Sequence, residues 1–127
     1  TLTQAIQLVF YALKNSNGGE IFVKKSPGSK IVDLAKAYAE LITKNPDYPI
    51  EFIGIRSGEK IDEVLISQEE MRHTKEEEDY FVIEKELDFD NTFVDKTIHL
   101  SEYTSSSTNQ LTIEELKILM SKLNWVQ

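Results

Sequence analysis

Length, composition and charge exclude several classes of protein. The chain has 127 residues, 40% of them hydrophobic, with no cysteine and a formal net charge of −8. This length fits one domain that buries a core without disulfides, and the lack of cysteine is typical of a reducing, cytoplasmic compartment. A chain this acidic is a poor partner for nucleic acid or anionic membranes, and no apolar run reaches the roughly 20 residues of a membrane span. No set of residues has metal-ligand spacing.

The first predicted element is an amphipathic helix over residues 2–14. Thr1 and Gln4 have the spacing of a capping box, which starts the helix almost at the first residue. Four apolar side chains at helical spacing lie on one face of this helix: Ile6, Val9, Phe10 and Leu13. Because the chain begins with threonine and not methionine, we expect it to be part of a longer protein.

The remaining elements follow from periodicity, caps and breakers. Strands are predicted over 20–24, 50–55 and 80–83, and helices over 30–44, 61–66 and 112–124. Ser29 is the expected N-cap of helix 30–44, and two further capping boxes are Ser67 with Glu70 and Thr112 with Glu115. The charged run 74–79 is predicted to be a solvated loop or the end of a helix, and 86–110 an extended loop. The fold class is therefore α/β, with short strands and three or four helices.

One segment combines groups suited to an anionic, hydroxyl-bearing ligand. A predicted buried strand ends at Gly54-Ile55, and Arg56-Ser57-Gly58-Glu59-Lys60 follows at once. An arginine fork suits bidentate pairing with phosphate, a glycine permits close backbone approach, and a carboxylate accepts two hydroxyl donors. The alternative interpretation is a surface ion pair between Arg56 and Glu59, with Lys60 solvated, because exposed pairs at this spacing are common.

The same segment resembles a family motif. Residues 54–66 are similar to the signature of the polysaccharide-biosynthesis branch of the extended short-chain dehydrogenase/reductases, which includes UDP-N-acetylglucosamine 4,6-dehydratases and related epimerases. Residues 2–5, 18–23, 31–35, 79–83, 103–105 and 111–112 with the last helix resemble other stretches of that family in the same order, so the likeness covers nearly the whole chain. The resemblance implies that residues 1–127 form a carboxy-terminal, sugar-nucleotide-binding lobe.

The resemblance also implies roles for individual residues. In that family the arginine of the motif contacts the UDP diphosphate and the glutamate contacts the ribose, which gives Arg56 and Glu59 as substrate-binding residues. Lys60 would add positive potential. Ser57 stands where proline is usual and Asp62 where histidine is usual, which leaves the subgroup and the sugar open.

Two family features are missing from the chain. Its five glycines cannot form the glycine-rich turn that binds NAD(P), and no tyrosine has a lysine four residues later, as the family's catalytic Tyr-x-x-x-Lys requires. The resemblance therefore implies that NAD(P) and the catalytic residues belong to an amino-terminal Rossmann domain outside this chain. We expect no catalytic, cofactor-binding or metal-binding residue in the chain itself, and no activity from it alone.

Taken together, these features predict part of an enzyme with a UDP-sugar substrate. The leading hypothesis is a 4,6-dehydratase or epimerase acting on UDP-N-acetylglucosamine or a relative in capsule or O-antigen synthesis, a homo-oligomer when full-length. The alternatives are a simple UDP-sugar 4-epimerase and a non-catalytic α/β interaction module. The residues that would decide between the two enzymes are not in this sequence.

Overall fold

The structure is a computed structural model that describes residues 1–85 and 101–123. These ranges contain four helices and five short strands, so the predicted mixed α/β class is confirmed. The chain divides into two compact units, one formed by residues 1–26 and 64–104 and the other by 27–63 and 105–127. Within the described ranges, no helix has the length and apolar composition that crossing a membrane requires.

The first unit is built on antiparallel strands. The bounds are β1 (Ile21–Lys24), β2 (Val64–Ile66), β3 (Thr74–Glu76), β4 (Tyr80–Ile83) and β5 (Tyr103–Thr104). One sheet has the order β1-β4-β3, and β2 pairs with β5. Phe81 and Ile83 occupy alternate positions of β4, so both side chains lie on one face, where they are buried with Ile66.

Helix α1 (Leu2–Asn15) has the predicted capping box between Thr1 and Gln4, and none of its residues is fully buried. Its contacts with the sheet are made by Tyr11, whose ring stacks on Tyr80 at 4.2 Å and meets Phe22 edge-on at 5.8 Å. The four apolar side chains of the predicted stripe are 48–74% exposed. Periodicity identifies such a stripe without saying what covers it.

The loop after α1 holds a carboxylate in a ring of donors. Glu20 accepts hydrogen bonds from the Ser16 hydroxyl and from the backbone N–H groups of Asn17 and Gly18. The Ser16 bond contributes most to lowering the pKa of Glu20 from 4.5 to about 2, followed by backbone donors at Glu20 itself and Asn17. Farther along the same unit, the four-residue helix α3 (Gln68–Met71) has the predicted capping box of Ser67 and Glu70.

The second unit is a pair of packed helices. Helix α2 (Ile31–Thr43) packs on α4 (Ile113–Lys122), and Ala37, Leu116 and Met120 form its buried core. The predicted capping box of Thr112 and Glu115 is present at the start of α4. An ion pair joins the two helices, since Lys117 Nζ lies 2.7 Å from a carboxylate oxygen of Glu40.

Four sequence predictions of secondary structure outside the predicted 86–110 loop were wrong. Residues 50–55 form no strand, because Gly54 has a φ of +79° that a regular strand does not accommodate. Residues 61–66 are not helical: their β-branched, apolar end is strand β2. The charged run from Thr74 forms β3. Its backbone groups are hydrogen-bonded to the partner strand β4, and its charged side chains lie on an edge strand of the sheet. Lys30, not Ser29, is the N-cap of α2, and no side chain caps it.

The predicted loop over 86–110 is described only in part. Residues 86–100, which include His99, and residues 124–127, which include Trp125, lie outside the described residues. Within the remainder, Tyr103 and Thr104 form β5 rather than loop, and residues 105–111 are held by hydrogen bonds.

Candidate functional site

The candidate site residues form an exposed turn in the second unit. The Glu59 backbone N–H donates to the Arg56 carbonyl at 3.1 Å, which closes a four-residue turn. Gly58, the third residue of this turn, has a φ of +88°, and Gly54 before it has +79°. A positive φ at the third position is the requirement of a type II turn, so Gly58 is needed there for conformation.

Glu59 stabilises the turn with its side chain as well as its backbone. Its Oε2 accepts the Arg56 backbone N–H at 2.9 Å. The predicted alternative, an ion pair between the two side chains, is therefore replaced by a bond from carboxylate to main chain. The second carboxylate oxygen, Oε1, accepts no hydrogen bond from residues 1–85 or 101–123. One side chain can thus fix the turn and still face a ligand.

The guanidinium of Arg56 projects from this turn. Arg56 is exposed, and its guanidinium makes no hydrogen bond or ion pair with the part of the chain that the structure describes. Ser57 is the second residue of the turn. The fixed φ of proline also suits this position, so either proline or serine can stand there.

Lys60 is the weaker member of the group. Its Nζ lies 3.4 Å from Oε2 of Glu63, and both side chains are about two-thirds exposed, at 68% and 65%. Such an ion pair contributes little to stability, so a ligand could displace it at small cost. The structure thus brings Arg56, Glu59 and Lys60 into one short exposed segment.

The sequence analysis missed the residues that hold the base of this segment. Glu63 is joined by two hydrogen bonds to Ser105, 42 residues later in the chain. Ser105 lies within the loop predicted over 86–110. No local sequence pattern identifies a pairing between residues this far apart in the chain.

The surroundings of the turn are unusually apolar for an exposed loop. Phe52, Ile53, Ile55 and Ile61 flank it and are 69–81% exposed. Large exposed apolar patches mark sites that are covered by a ligand or a protein partner.

The described residues do not fit a dinucleotide cofactor or a metal. All pairs of named strands within residues 1–85 and 101–123 are antiparallel, whereas the dinucleotide site of a Rossmann fold needs a parallel strand followed by a glycine-rich turn into a helix. In the same ranges, no group of three His, Asp or Glu side chains could hold a metal ion.

Comparisons with known proteins agree on one family. A model of the family described as polysaccharide biosynthesis protein matches residues 1–85. Proteins named UDP-glucose 4-epimerase from Rickettsia rickettsii and Rickettsia canadensis are 41% and 40% identical over 100% of this chain, which spans 38% of each relative's length. The X-ray structure of Pen from Bacillus thuringiensis matches with a TM-score of 0.76 and 32% identity, over 100% of this chain and 37% of that protein.

Proposed function

Because the chain belongs to the polysaccharide biosynthesis protein family of extended short-chain dehydrogenase/reductases, we propose that it is the substrate-side lobe of a UDP-sugar-converting enzyme. Within that enzyme, the turn from Arg56 to Glu59 binds the UDP end of the substrate. The family membership predicted from the sequence motifs is confirmed by the comparisons, whereas the roles of the individual residues are part of this proposal.

The observation that supports this proposal is the guanidinium of Arg56, which projects from a turn of fixed shape and makes no hydrogen bond or ion pair with residues 1–85 or 101–123. A planar guanidinium that has no protein partner can pair bidentately with a diphosphate without first breaking an ion pair. Glu59 keeps one carboxylate oxygen for a ribose hydroxyl while the other holds the turn. Lys60 adds positive potential once its weak pair with Glu63 opens.

The reaction proposed for the intact enzyme is interconversion at C4 of the sugar. The curated relatives are named UDP-glucose 4-epimerase, which favours the 4-epimerase alternative over the 4,6-dehydratase acting on UDP-N-acetylglucosamine. Binding energy from the remote UDP group orients the reacting sugar in either reaction. Mass spectrometry of the product distinguishes them, because epimerisation conserves mass whereas dehydration releases one water.

The proposal places NAD(P) in a part of the enzyme outside this chain. Nothing in the described residues fits the cofactor, so this lobe binds and orients the substrate while the cofactor, when bound elsewhere, supplies hydride transfer. The isolated chain is expected to be inactive.

The exposed face of α1 supports the proposal that the cofactor-binding half packs on this lobe. Five large apolar side chains of that helix are 48–79% exposed: Leu2, Ile6, Val9, Phe10 and Leu13. A charge placed there should weaken the contact, whereas the polar Gln7 offers a matched position on the same helix. We expect Val9→Glu to lower the thermal midpoint of the intact enzyme more than Gln7→Glu, and equal effects would argue against packing on this face.

The test of the substrate role is Arg56→Ala in the intact enzyme. Loss of a charged phosphate contact of about 1.5–3 kcal/mol should raise KM for the UDP-sugar roughly 10- to 100-fold and weaken competition by free UDP in parallel. Arg72→Ala is a matched control, because Arg72 is also an exposed arginine but lies 3.6 Å from Glu69 in the other unit. An unchanged KM in the Arg56 variant would remove the proposed role.

A further inference from the structure

Residues 105–111 form a strap across the start of the second unit. The Gly28 backbone N–H donates to the Asn109 carbonyl, and the Leu111 N–H donates to the Gly28 carbonyl, each at 2.9 Å. A Cβ added to Gly28 would lie 2.6 Å from the Ser105 carbonyl oxygen and 2.7 Å from Thr108 Oγ1. Glycine is therefore required at position 28 for space, since any larger residue would push the strap away.

The strap is held in shape by its own polar side chains. Gln110 Nε2 lies 2.9 Å from the carbonyl oxygen of Ser105 and 3.0 Å from that of Thr108. Thr108, which is buried at 8% exposure, donates its hydroxyl to the Ser105 carbonyl at 3.0 Å. Ser105 is thus the point at which these bonds converge.

Ser105 connects this network to the candidate binding segment. Its backbone N–H donates to the Glu63 carbonyl at 2.8 Å, and its Oγ accepts the Glu63 backbone N–H at 3.0 Å. Because the backbone N–H and the carbonyl of Glu63 are both bonded to this one residue, the main chain at Glu63 is fixed in position.

Only residues 60–62 separate Glu63 from the turn that carries the arginine. Glu59 closes that turn onto Arg56 through its backbone and its carboxylate. The connection from Ser105 to Arg56 therefore consists of the hydrogen bonds at Glu63, a short stretch of main chain and the hydrogen bonds of the turn. The tip of the segment is exposed while its base is anchored.

We propose that Ser105 and Gln110 are positioning residues that set where Arg56 and Glu59 meet the UDP group. The inference rests on the proposed function and extends it, because these two side chains act through the binding turn without touching the substrate. Because the strap fixes Glu63, a shorter stretch of chain around the binding turn is free to move. The arginine therefore samples fewer positions before the substrate binds.

The experiment measures KM and kcat of the intact enzyme with UDP-glucose, together with its thermal midpoint. Removal of the Ser105 hydroxyl breaks one hydrogen bond, so Ser105→Ala should raise KM roughly 2- to 10-fold at nearly constant kcat. Gln110→Ala, which breaks several bonds, should raise KM more. Ser105→Thr retains the hydroxyl and should restore KM, and Ser121→Ala, which removes a serine hydroxyl on α4 in the same unit, should leave KM unchanged.

A double variant shows whether Ser105 acts through Arg56. If it does, adding Ser105→Ala to Arg56→Ala should raise KM little beyond that of Arg56→Ala alone, because the group being positioned is already gone. Full multiplication of the two effects would overturn the inference. So would a Ser105→Ala variant whose thermal midpoint falls while KM stays constant, since that result describes a structural role only.

The failure of this inference is distinguishable from failure of the proposed function. If Arg56→Ala raises KM but Ser105→Ala and Gln110→Ala do not, the positioning role is wrong and the binding role stands. If Arg56→Ala itself leaves KM unchanged, the binding role is wrong and the positioning role falls with it.

Discussion

Replacement of Gly58 by alanine tests whether the shape of the turn matters for binding. Gly58 has a φ of +88°, which an alanine adopts only with strain of about 1–2 kcal/mol. A Cβ added there would meet nothing within 4 Å, so the substitution introduces no clash. Backbone conformation is therefore the sole source of the expected effect.

The strain reduces the fraction of molecules in which the turn has the conformation that binds UDP. A strain of about 1–2 kcal/mol lowers the fraction of molecules with the correct turn by roughly 5- to 30-fold, provided that the strain is larger than the free energy by which the turn is favoured over other conformations. The apparent affinity for UDP falls by up to the same factor. Because the turn is exposed and contributes nothing to either buried core, the thermal midpoint should stay nearly constant.

Isothermal titration of the intact enzyme with UDP measures this effect directly. Gly58→Asn is the matched control, because asparagine tolerates a positive φ at the third position of a type II turn and should recover part of the affinity. Equal affinities for the wild type and Gly58→Ala would refute the reasoning. Equal losses in the alanine and asparagine variants would show that the side chain itself, and not the backbone strain, interferes.

Three further predictions concern stability and pH. Leu116→Ala should destabilise the helix pair by about 2–5 kcal/mol, because Leu116 is only 3% exposed. Leu119→Ala should destabilise it much less, because Leu119 is 38% exposed. Hydrogen exchange of the α2 and α4 backbone amides measures both effects. Ser57→Pro should protect the turn amides by about 0.4–1 kcal/mol without weakening UDP binding, and a loss of binding would contradict the assigned turn. Glu20 has its pKa lowered to about 2, so its contribution to stability is complete above pH 4.5 and is lost as the pH falls through 2. Glu20→Gln should therefore flatten the acid limb of a stability-pH profile, and an unchanged limb would contradict the hydrogen bonds to this carboxylate.

Features set by neighbouring residues could be read from the sequence. All three predicted capping boxes are present in the structure, because a cap depends on residues three positions apart and on nothing else in the chain. Helices α1, α2 and α4 and strands β1 and β4 lie within a few residues of their predicted bounds. The family, too, was identified from motifs that stand in order along the sequence, and the comparisons confirm it.

Features set by distant residues could not be read in this way. The apolar run 50–55 has the composition of a strand, yet a strand also needs a partner, and Gly54 takes a conformation outside the strand region. The charged run from Thr74 has the composition of a loop, yet it pairs with β4. The composition of a segment limits which secondary structures it can adopt. Whether one of them forms a strand depends on a second strand with which it can pair.

The candidate site shows the same division. The chemistry of the turn follows from residue type and spacing, and Glu59 lies close enough along the chain to bond either the side chain or the main chain of Arg56; the structure shows the main-chain bond. The hydrogen bond that holds Glu63 to Ser105 spans 42 residues, and it exists because the fold of the unit brings the two together. Local hydrogen bonds are encoded where they occur, whereas contacts between distant residues form only when the whole unit folds around them.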